Sequence, residues 1–103
     1  MSSKIDGFRD FVLDQLTDLP GLTVRAMFGG YGLYHRSMFF GIIHRGRLYF
    51  KVTAATTLRY KNYGMKAFRP NSKQTLKSFY EVPVDILEDA EALTEWATQA
   101  VER

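Results

Sequence analysis

Residues 38–52 read MFFGIIHRGRLYFKV, two runs of β-forming residues separated by His44-Arg45-Gly46. The aromatic and β-branched content of both runs suits a pleated surface, and the short polar break with Gly46 is that of a tight hairpin. In the second run Leu48, Phe50 and Val52 share one parity and Arg47, Tyr49 and Lys51 the other, so an apolar face and a basic face with a tyrosine are expected. This hairpin commits the middle of the chain to an antiparallel sheet.

Outward from it, Thr23 to Tyr34 is again β-rich, and the glycines Gly29, Gly30 and Gly32 inside it read as a bend or bulge in one long strand. TAATTLRYKNYG (53–64) reads as a short helix ending at Gly64. KAFRP and KSFYEVP read as two further strands around the polar turn NSKQT. At the N-terminus Ile5, Phe8, Val12, Leu16 and Leu19 recur at helical spacing, with Ser3 and Asp6 as a cap and Pro20-Gly21 as the stop. On that helix Asp6, Asp10, Asp14 and Asp18 form an acidic stripe. From Val84 on, Leu87, Ala90, Leu93, Ala97 and Ala100 line one side of a last helix, with Trp96 at its edge. The expected fold is α+β, in the order α-β-β-β-α-β-β-α: an antiparallel sheet of about five strands with helices packed on one face. A chain of 103 residues makes one domain, residues 1–103.

Charge is unevenly placed. Between Leu19 and Tyr80 there are eleven Lys and Arg and no Asp or Glu, whereas both ends are acidic, leaving a net charge of only +3. No cysteine is present, which removes disulfides, thiolate metal sites and a cysteine nucleophile. The N-terminus lacks the apolar core of a signal peptide, no run is long and apolar enough for a membrane span, and a cytoplasmic location is expected.

The glycine cluster does not suit a phosphate loop. Such a loop needs a third glycine where His35 stands and a helix where strand follows. RGRLYFKV resembles an RNA-recognition signature only superficially, because Arg47 takes an aromatic position. His35 and His44 are the side chains suited to acid–base work near neutral pH, and the carboxylates lie in the terminal segments. No catalytic residue, cofactor or metal is expected.

In order along the chain, RAMFGGYGLY (25–34), MFFGII (38–43), LYFKV (48–52) and FYEVP (79–83) closely resemble the N-terminal domain of the TfoX family, also called Sxy, regulators of natural competence. The resemblance implies a secretion-chaperone-like α+β fold. It also implies a non-catalytic transcription coregulator acting through protein–protein contacts, with the cyclic-AMP receptor protein as the model partner. The basic sheet face offers the docking residues: Arg25, Arg47, Tyr49 and Lys51. Two alternatives stand beside this reading, direct nucleic-acid binding through the same face and an enzyme or small-ligand binder. No membrane partner is expected, and a homodimer remains open.

Overall fold

The computed structural model describes residues 4–27 and 29–102, with side chains from Gly7 onward. The elements are α1 (Lys4–Gln15), β1 (Leu22–Met27), β2 (Gly30–His35), β3 (Met38–His44), β4 (Arg47–Lys51), α2 (Ala54–Asn62), β5 (Ala67–Asn71), β6 (Gln74–Glu81), α3 (Val84–Leu87) and α4 (Ala90–Val101). All strands join one antiparallel sheet in the order β1-β2-β3-β4-β6-β5. The central hairpin is as its sequence demands: His44 pairs with Arg47, and Arg45 and Gly46 both take positive φ (52° and 72°). That backbone twist matches the twist of the flanking strands.

The sheet has six strands, one more than expected, because the glycine cluster does not bend a single long strand. The chain reverses there instead, with Gly29 at φ 74° and Gly30 already paired to Met27. A bulge does occur one strand later. Leu33 pairs with Gly41 and Tyr34 with Phe39, so Phe40 is the extra residue. It breaks the alternation of MFFGII, sending Phe39 and Ile42 to one face and Phe40 and Ile43 to the other.

Helices cover one face only. Val12 of α1 and Leu16 just after it, Tyr60 of α2, Ile86 of α3 and Leu93, Trp96, Ala97 and Ala100 of α4 pack on Leu33, Phe40, Ile43, Leu48 and Phe50 from the sheet and on Val52 and Val82, which directly follow β4 and β6. Trp96, expected at the edge, is buried. Tyr60 meets it edge-on at 4.8 Å and Arg59 lies over its ring at 4.7 Å.

The helix ends follow local chemistry. Thr53 and Thr56 form a capping box at α2. The last helix divides in two because Asp89 accepts from the Ala92 N–H at 3.1 Å and starts α4 afresh. The first helix ends at Gln15, earlier than its apolar spacing suggested, yet Leu16 and Leu19 remain buried beyond it. The proposed cap at Ser3 and Asp6, with Ile5, lies outside the described side chains.

Candidate docking surface on the open sheet face

The face without helices is composed by parity. Across β1 and β2, Thr23 stands beside Tyr34 and Arg25 beside Gly32. Across β3 and β4, Ile42 stands beside Tyr49 and His44 beside Arg47. Across β4 and β6, Tyr49 stands beside Glu81 and Lys51 beside Phe79. Among the described residues Glu81 is the one acid in any strand.

This face is not the evenly solvated basic surface that the alternation of RLYFK suggests. Ile42, Tyr49, Phe68 and Phe79 are buried on it, with Phe39 and Leu76 packed against them. The cause lies at the end of the sheet, where register irregularities on both sides of Phe68 bend the β5–β6 hairpin. Phe68 thereby meets Tyr49 at 4.6 Å and His44 at 5.3 Å between ring centroids. Toward β2 the aromatic line continues through Phe79, Phe39 and Tyr34, at 5.0 and 5.3 Å, with Phe39 and Tyr34 half-exposed.

The four expected docking residues therefore separate. Tyr49 is only 8% exposed and belongs to the second apolar cluster. Its phenol is pushed above the usual tyrosine range by burial, with the Glu81 carboxylate adding to the rise. Arg47 is exposed but grips both carboxylate oxygens of Glu81, at 3.1 and 2.9 Å. Arg25 and Lys51 are exposed, and neither has a carboxylate partner among the described residues. Arg25 lies over the Tyr34 ring at 5.4 Å, an arrangement that holds a guanidinium without neutralising it.

The family model described as the TfoX N-terminal domain matches residues 14–103. The chain belongs to that family. No curated protein matches the chain. In this TfoX N-terminal domain the acids of the helices form no ion pair with the sheet's cations among the described residues. The helices pack on the sheet's other face, and Arg59 alone of the middle segment's cations meets a helical acid, Glu95 at 3.9 Å, among the described residues.

The histidines are also separated. His35 ends β2 and His44 ends β3, and among the described residues neither pairs with a carboxylate or belongs to a metal-ligating group. Sequence reasoning can place Tyr34 among the basic residues of the middle segment but missed Phe39 as a member of the open face. Tyr34 has the parity of Thr23, but the bulge that turns Phe39 outward leaves no mark in MFFGII.

One pH effect follows. Burial, and secondarily Arg45, hold the His44 imidazole below its ordinary value of 6.5. As pH falls the unfolded chain takes up the proton first, so a small part of the stability is lost as pH drops through about 6.5. Thermal melts of wild type and His44→Gln across pH 5 to 8 check this, and the variant should show the shallower slope below about pH 7.

Proposed function

We propose that the protein is a non-catalytic interaction module of the transcription-coregulator kind, and that its open sheet face docks an acidic protein surface. One observation carries the reading: half-exposed Tyr34 and Phe39 lie between the cations Arg25 and Lys51 on a face whose single acid, Glu81, is already engaged by Arg47. Aromatic side chains with arginine favour protein–protein contact, and a carboxylate-free rim favours an acidic partner. Family membership supports the same reading. A component of the transcription apparatus such as the cyclic-AMP receptor protein is the partner class to which it points, in a cytoplasmic setting.

The test reverses Arg25 and Lys51. Arg47→Glu would be a poor probe, since it would set two carboxylates against each other beside Glu81. Arg25→Glu with Lys51→Glu alters only exposed side chains and should leave the melting temperature within a few degrees. Affinity for the native partner should fall by about tenfold to a hundredfold, more steeply at low salt than at high. An unchanged affinity at both salt concentrations rejects the surface.

Direct nucleic-acid binding is the second reading, favoured by the same cations and aromatic rings. It requires a complex with DNA or RNA alone, weakening as a power of salt concentration.

A further inference from the structure

Beside Arg25 the open face is concave. A cavity of about 240 Å³ lies between β1 and the β2–β3 turn, lined by Thr23, Arg25, Tyr34 and Ser37. Its lining residues are an arginine and three hydroxyl-bearing side chains, with no carboxylate among the described residues. Stacking over Tyr34 fixes Arg25 at one wall. Among the described residues its N–H donors find no protein acceptor.

The turn that lines the cavity carries an independent mark. His35 pairs with Met38, so Arg36 and Ser37 form a two-residue turn, and both have positive φ, 49° and 76°. Such turns strongly favour Asn-Gly, and side chains like these at both positions store strain. The strained serine is the one that lines the cavity.

The geometry points to a site for a small phosphomonoester, held by Arg25 with the hydroxyls of Thr23, Tyr34 and Ser37. The cavity is smaller than the roughly 300 to 1,000 Å³ typical of sites for drug-sized ligands, so it suits one anionic group rather than a whole nucleotide. A phosphoryl group presents three strong acceptor oxygens and nearly two charges, and four separate donor side chains match it better than the two oxygens of a carboxylate. The assignment stands on the cavity and its turn, and holds whether or not the face docks a protein.

Titration of the labelled protein with inorganic phosphate, O-phosphoserine and acetate, read by amide chemical shifts, tests it. Phosphate and phosphoserine should give saturable shifts confined to the amides of Thr23, Arg25, Tyr34 and Ser37, and acetate should not. A response to phosphoserine at least as strong as that to inorganic phosphate supports the monoester site, and a response to inorganic phosphate alone overturns it. Arg25→Gln should weaken binding about tenfold or more. Ser37→Gly should weaken it severalfold while raising the melting temperature, because the strain is released as the hydroxyl is lost. Arg45→Gln, on another hairpin turn, should change nothing. Equal response to acetate, unsaturable shifts spread over all basic residues, or unaltered affinity in Arg25→Gln overturns the proposal. Tighter binding of a short oligothymidylate to the same amides overturns the monoester assignment.

Discussion

Phe68→Ala is expected to destabilise the protein by about 3 to 5 kcal/mol, the range for removing a fully buried aromatic ring. Phe68 is completely shielded from solvent, and it closes the second apolar cluster over Tyr49, beside Ile42 and Phe79. No helix covers that face, so no neighbouring element is placed to settle into the space the ring leaves. For a domain of this size the melting temperature should drop by roughly 12 °C or more. Phe68→Leu retains most of the volume and should cost nearer about 1 kcal/mol. Melts of the two variants check the assignment. A drop of only a few degrees for the alanine variant would mean that the open face does not depend on this cluster.

Gly30→Ala should be nearly as costly, through a different cause. A Cβ at Gly30 would land inside the contact radius of the Ile43 carbonyl oxygen, which is main chain of a central strand and cannot turn aside. The cost is placed at about 3 kcal/mol, the upper end of the overpacking range. Gly32→Ala gives the contrast, since its Cβ would meet chiefly the flexible thioether end of Met27 and should cost about 1 kcal/mol. The sequence alone read both glycines as part of a bend or bulge that needs backbone angles other residues avoid. Neither has positive φ in the structure; the strained angle belongs to Gly29. Chemical denaturation of the two alanine variants separates the explanations, because backbone strain predicts similar losses and close approach predicts unequal ones.

Much of the architecture was legible because it is written in local pattern. Leu48, Phe50 and Val52 alternate with Arg47, Tyr49 and Lys51, and Gly46 marks the turn before them, so the central hairpin needs no distant information. What was not legible depends on events between strands. One extra residue at Phe40 reverses parity within MFFGII, and the uneven pairing of β5 with β6 brings Phe68 against Tyr49. Alternation assigns Tyr49 to a face but cannot tell whether a hairpin from elsewhere in the chain covers that face. The same limit applies to Arg47, whose engagement by Glu81 comes from a strand 34 residues away in sequence. The exposure of Arg25 and Lys51 was legible because neither depends on such a partner. That Phe39 joins Tyr34 on the open face is seen only once register is known.

The open basic face of this TfoX-family domain is proposed to engage a protein. Affinity purification of the tagged wild-type chain and of the Arg25→Glu, Lys51→Glu variant from the native cell, each with and without nuclease treatment, tests it most directly. A protein partner of acidic surface should survive nuclease and be lost from the variant. Equal recovery of that partner by the variant, or its disappearance after nuclease, would contradict it.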